Sequence, residues 1–198
     1  TQARRPESLR LTLGALEQAK RLSVSAVGEP LIALEWRHAR LQAALGEPAL
    51  ALAAYQRAVD HIEALRADIP IEDEAGGSSF RQLFEPVYMG LVDGLLKAAD
   101  TRADGSEAAR SAYLARAVAA VELIKQSEMQ DYLGDRCTVD EVKGGTATVI
   151  PAGTAVVYPL IFAERLELLV LSPAGLARFT ERVRGEELRQ LATAFAAE

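Results

Sequence analysis

The residues able to do chemistry are few and widely spaced. His38 and His61 are the only histidines and Cys137 the only cysteine in 198 residues. Neither histidine is read with Cys, Asp or Glu at metal-ligand spacing, so each is expected at the surface or the core edge. Cys137 follows Asp135-Arg136, and a neighbouring guanidinium lowers a thiol pKa. A catalytic thiolate also needs a histidine base in space, and none is near it in sequence. Gly76-Gly77 and Gly144-Gly145 lack the spacing of a phosphate-binding or dinucleotide loop and read as turns. The run Glu72-Asp73-Glu74 reads as a solvated loop. No Ser-His-Asp arrangement, paired carboxylates or zinc pattern is visible, so no catalytic residue, metal ligand or cofactor is assigned.

Bulk composition narrows the classes further. With 49% hydrophobic and 25% charged residues the chain is ordinary globular material, long enough for one large domain or two small ones. A lone cysteine cannot close an internal disulfide, which fits a reducing, cytoplasmic setting. A formal charge of −6 argues against nucleic acid or an anionic membrane as partner, since both require a basic face. No apolar run reaches the roughly 18 residues of a membrane span.

The elements that must position these residues are mostly helices. From 6 to 133, Ala, Leu, Glu, Arg and Gln dominate and apolar residues recur every three or four positions. One stripe runs Leu31, Leu34, His38, Leu41, Leu45 and another Ile32, Trp36, Ala39, Ala43, as expected of a helix contacted on two sides. Gly46 ends that helix and Pro48 opens the next, whose expected buried face is Leu52, Tyr55, Val59 and Ile62. So short a connection makes the two an antiparallel hairpin. The stretch 68–79, with Pro70 and Gly76-Gly77, is a break, after which Ser78 or Ser79 caps a helix reaching about Ala99. Pro86 is expected to kink that helix or mark its start. Asp104-Gly105 turns, Ser106 caps, and a long helix through Tyr113, Leu114, Ala117, Val121 and Ile124 runs to about Leu133.

After Gly134 the character changes. Residues 135–153 read as a linker. Thr154 to Phe162 and Leu166 to Leu171 then form a β-hairpin, apolar on both faces. A turn at 172–175 leads to a third strand, Leu176 to Val183, and Glu186 to Ala197 returns to helix. Such a sheet needs cover on both faces, and one terminal helix shields only one. The expectation is therefore a second domain, 154–198, that is incomplete.

The stretch LGEPALALAAYQRAVD resembles a tetratricopeptide (TPR) repeat, with Gly46, Ala51, Tyr55 and Ala58 at that family's spacing. Its first half departs: Trp36 falls one position late for the usual tryptophan, and His38 stands where leucine is common. The resemblance implies that the first helix of each pair lines a groove for a protein or peptide partner. Trp36 and Arg40, four apart, are then the candidate partner-binding pair, one supplying area and the other a fork of donors. The alternative is that Trp36 packs on the preceding helix and Arg40 is solvated.

Several stretches in order are also similar to the TPR-linked CHAT proteins, relatives of caspases and separases. They are Gly77-Ser78-Ser79-Phe80-Arg81 with Glu85-Pro86-Val87-Tyr88, the run Met129 to Asp135 through Cys137, and Thr154 to Pro159 followed by Arg165-Leu166-Glu167-Leu168-Leu169. This implies a mainly α chain: TPR-type hairpins over 1–134, a linker over 135–153, and the opening strands of a caspase-like α/β domain over 154–198. The family's catalytic histidine and cysteine match no residue here. The expected role is the interaction and regulatory region of a CHAT-type cysteine peptidase, its partners a protein or peptide and the remainder of its own CHAT domain. A non-enzymatic TPR adaptor is the alternative.

Overall fold

The computed structural model describes residues 4–22, 29–66, 79–101, 106–133 and 150–196. Cys137, the acidic run 72–74, both diglycines, Ser78 and Asp104-Gly105 lie outside them. The chain divides into two compact units, Thr1–Lys143 and Gly144–Glu198. It is mainly α, with a small antiparallel sheet in the second unit.

The first unit holds α1 (Arg4–Leu22), α2 (Glu29–Ala44), α3 (Pro48–Leu65), α4 (Ser79–Asp100) and α5 (Glu107–Leu133). Helices pack chiefly on their neighbours in sequence: α1 on α2, α2 on α3, α3 on α4 and α4 on α5. That is the contact pattern of stacked hairpins, in which each element relies on the next to cover its apolar face. The α2–α3 turn follows from three residues. Gly46 adopts φ +80°, its N–H bonds the Ala43 carbonyl at 3.1 Å, and Glu47 N–H reaches back to Gln42 O at 2.9 Å. This closes the end of α2 in a Schellman motif. Pro48 then stands at the first turn of α3, where no N–H is needed.

The α3 core face is Ala51, Ala54, Ala58, Val59 and Ile62, while Leu52 and Tyr55 are half-buried. Both of the latter lie against glycines of α4. A Cβ on Gly90 would stand 2.6 Å from Tyr55 Cζ, and one on Gly94 would stand 3.2 Å from Leu52 Cδ1. Glycine at these two positions lets α3 and α4 approach. In α4 the buried side chains include Val87, Tyr88, Leu91, Val92, Leu95 and Leu96, which face both α3 and α5. Pro86 is exposed inside α4 rather than at its start, because the helix begins earlier, at Ser79. Ser106 caps α5, its Oγ accepting from Ala109 N–H at 3.2 Å.

In α2 the buried positions are Ile32, Glu35, Ala39 and Gln42, spaced three, four and three apart. Ala43, expected in an apolar stripe, is exposed, and Leu31, Leu34, Leu41 and Leu45 are half-buried. The most buried stripe of α2 is thus half polar.

The second unit is a meander of β1 (Val156–Ile161), β2 (Leu166–Ser172) and β3 (Gly175–Glu181), followed by α6 (Gly185–Ala196). The two-residue turn Pro173-Ala174 joins β2 to β3, with Gly175 at φ +115°. Register puts Tyr158, Leu169 and Arg178 in one cross-strand row and Leu160, Glu167 and Thr180 in the next, all on one face. That face is buried at Tyr158, Leu160, Glu167 and Leu169. It carries charge at its centre, so the strands are not apolar on both faces as their two apolar runs suggest. The other face presents Val157, Pro159, Leu168 and Phe179, with Phe179 58% exposed. The first turn of α6 is tied to the β1–β2 turn, Gly185 N–H donating to Ala163 O at 2.9 Å. Its apolar Leu191 and Phe195 remain exposed, at 61% and 82%, so they shield neither face.

Candidate functional site

The predicted pair does come together. Trp36 and Arg40 project from one side of α2 a single turn apart, and the guanidinium carbon sits 5.5 Å from the indole centroid. That is a cation–π distance. Trp36 is half-buried and Arg40 exposed, so the ring keeps a wet side beside an exposed fork of donors. The surroundings belong to three helices. Tyr55 of α3 has its phenol pKa raised, first by burial; the charge of Arg40 opposes this and that of Asp93 on α4 adds to it. Asp93 is itself bonded to Lys97 at 2.6 Å. An aromatic, a cation and a half-buried phenol thus share one neighbourhood, a composition suited to holding a peptide by stacking and donor contacts.

A second cluster has no counterpart in the sequence pattern. Glu35 points into the core at 3% exposure. Lys20 of α1 approaches its Oε1 at 2.5 Å, and Arg57 of α3 donates to Oε2 at 3.0 Å. Burial pushes the Glu35 pKa up, but these two cations more than reverse it and hold it below the usual value. His38 belongs to this cluster and is not a simple core-edge residue. Its Nδ1 is 3.8 Å from Glu35 Oε2, its Nε2 3.9 Å from a Glu17 oxygen and 3.2 Å from Gln42 Nε2. Contrary to the expectation from spacing, acids therefore stand near it, Glu35 one turn before and Glu17 on α1. Burial, then Lys20, lowers the His38 pKa, with Glu35 opposing. Among the described residues no group of His, Cys, Asp and Glu is placed to hold a metal ion. His61 is half-buried on α3, apart from this cluster's contacts.

Two more polar knots fix the scaffold. Arg66, at the end of α3, grips Glu63 through two bonds, of 2.9 and 2.5 Å, and donates to the Leu123 carbonyl of α5 at 3.2 Å. The Tyr88 hydroxyl of α4 donates to Glu63 in the same knot. Burial first, then the Glu63 charge, raises the Tyr88 pKa. One arginine therefore helps join three helices, α3, α4 and α5. In the sheet, Glu167 is fully buried and accepts four bonds: from Arg165 at 2.6 Å, Arg178 at 2.8 and 2.9 Å, and Thr180 at 2.6 Å. Burial raises its pKa, but these donors win and hold it at about 2. Arg165 also stacks on Phe162, 4.4 Å from the ring centroid.

No helix among the described residues is long and apolar enough to cross a membrane. Comparison with family models, curated proteins and solved structures finds no match to this chain.

Proposed function

We propose that the chain is the protein-interaction and regulatory region of a CHAT-type, caspase-like cysteine peptidase, its helical hairpins of TPR type receiving a protein or peptide partner. The observation that supports the binding half is the stack of exposed Arg40 on half-buried Trp36 on α2, beside Tyr55 and the Asp93–Lys97 pair of the neighbouring helices. The stacking of the helices in sequence order, followed along the chain by a small antiparallel sheet, supports this reading at the level of fold class. The peptidase half rests on the sequence resemblance. A reducing, cytoplasmic location belongs to the same reading.

Affinity capture with the intact parent protein tests it. Arg40→Ala, at an exposed position, should lose the partner while the helical circular dichroism stays unchanged. Trp36→Ala should lose it as well. Retention of the partner by Arg40→Ala at the unaltered level would remove the proposed surface. Extending the coding sequence past Glu198 tests the peptidase half: a parent with no histidine and cysteine following further apolar strands is an adaptor instead.

A further inference from the structure

The Glu35 cluster contains a nitrogen that nothing satisfies. His38 Nδ1 is buried and has no hydrogen-bond partner. A glutamine amide nitrogen only donates, so the contact with Gln42 makes Nε2 an acceptor and leaves the neutral ring's proton on Nδ1. That proton faces Glu35 Oε2 from 3.8 Å, beyond hydrogen-bonding reach. A second proton has to enter at Nε2, where it breaks the Gln42 contact.

The charges around the ring set the cost of that second proton. From α1 come Glu17 and Lys20, from α2 Glu35, and from α3 Arg57. Glu35 is already shared by both cations, so an added imidazolium finds it neutralised. Glu17 is 3.9 Å away and 44% exposed, a weak partner. An imidazolium there is desolvated without adequate pairing, a costly state. Helix α1, which brings Glu17 and Lys20 to this cluster, packs chiefly on α2 and turns Leu11 outward. Once α1 lifts, Lys20 leaves with it, while Arg57 still pairs with Glu35 and the α2–α3 hairpin stays intact.

We infer that α1 is an acid-released strap, seated on α2 by the Lys20–Glu35 bridge while His38 is neutral and freed when His38 takes up a proton. This device is independent of which partner the Trp36–Arg40 surface receives.

Hydrogen exchange followed by mass spectrometry on the intact chain tests it at about pH 7.5 and about pH 5.5, either side of the ordinary histidine value. After correction for intrinsic exchange, amides of α1 should lose protection several-fold at the lower pH, while those of α4 and α5 keep theirs. In His38→Gln, which has no titrating ring, α1 should show the same protection at both values. Unchanged α1 protection in the native chain, an equal fall in all five helices, or a pH dependence that survives His38→Gln would each overturn the strap. Ring proton titration by NMR in the unaltered chain needs no variant. His38 should titrate below the ordinary histidine value of about 6.5, and a midpoint at or above that value would also overturn the strap.

Discussion

Among the described residues, each unit buries one carboxylate between cations, and the two do it differently. Glu167 draws its donors from β3 and the β1–β2 turn, no more than 13 residues away, and accepts four bonds at 2.6 to 2.9 Å. Glu35 draws Lys20 from α1 and Arg57 from α3, and the imidazole beside it has an unpaired nitrogen. The sheet cluster is closed, so its removal is a loss of structure. The helical cluster is held together by three separate elements, one of which can leave. A saturated buried pair fixes geometry, whereas an incompletely satisfied one leaves the packing a choice.

The largest effect should come from breaking the closed cluster. Glu167→Ala takes from Arg178, only 6% exposed, the carboxylate it is paired with, and should cost about 3–5 kcal/mol in the sheet unit. Glu35→Ala should cost less, about 1–3 kcal/mol, because Lys20 and Arg57 are 22% and 44% exposed and turn to water. Amide exchange in β2 and β3 for the first, and in α2 and α3 for the second, reads the two separately. Equal costs would erase the distinction.

Acid should weaken both clusters, in different windows. The folded pKa of Glu167, about 2, lies below its ordinary 4.5. Its stabilising contribution is therefore complete above pH 4.5 and lost as pH falls from there towards 2. The His38 pKa is also lowered from 6.5, but for a base. Its neutral folded form is favoured above 6.5, and stability falls as pH drops below that value. The helical unit should thus loosen in mild acid and the sheet only in strong acid. Glu167→Gln should abolish the second step alone, measured by β2 amide protection against pH.

Two glycines sharpen the contrast in a third way. A Cβ at Gly185 meets the Phe162 carbonyl, a backbone atom, as well as Ile161 Cγ2 at 3.0 Å. A Cβ at Gly90 meets the outer end of the Tyr55 ring, which has room to tilt because Tyr55 is half-buried. Both Gly→Ala changes overpack, at about 1–3 kcal/mol. Gly185→Ala belongs at the upper end and should detach the first turn of α6. Gly90→Ala belongs at the lower end and should disturb the Arg40 neighbourhood through Tyr55. Thermal unfolding ranks them, and the reverse order would show that the Tyr55 ring is the less yielding neighbour.

The fold is more legible in the sequence than its polar interior. Gly46 before Pro48, Ser106 before a helical run, and the alternating strands are local signals, because turns and caps are decided by residues a few positions apart. The buried carboxylates are hidden for the opposite reason. Glu35 lies at the spacing of Ile32 and Ala39, which marks it as inward, but the cations that make its burial tolerable sit 15 and 22 positions away on other helices. Glu167 alternates in step with Leu169 and on spacing alone is one more strand residue. Its mates Arg178 and Thr180 show in the polar alternation of β3, but only the register across the turn pairs them with it. Trp36 and Arg40 are visible because their contact lies within one helical turn. Gly90 and Gly94 as seats for Tyr55 and Leu52 require knowing that α4 lies on α3.

The smallest effect concerns the surface pair beside that site, and it calibrates the others. Asp93 and Lys97 are four apart on α4, with the acid nearer the N-terminus, the favourable order for a helix pair. Their separation is 2.6 Å, comparable with the contacts of Glu35 and Glu167, so distance alone predicts an equal contribution. Exposure predicts otherwise. Lys97 is 61% exposed, its charge is well hydrated when unpaired, and holding the side chain in place costs rotamer entropy. Lys97→Ala should therefore cost only about 0.3–0.5 kcal/mol, and that difference should vanish in about 1 M salt, where screening acts over roughly 3 Å. The loss in Glu167→Ala should persist at the same salt, because the buried pair is scarcely screened. A Lys97 effect that matched the buried one, or resisted salt, would mean that α4 presents its Asp93 to a drier surface than its exposure indicates.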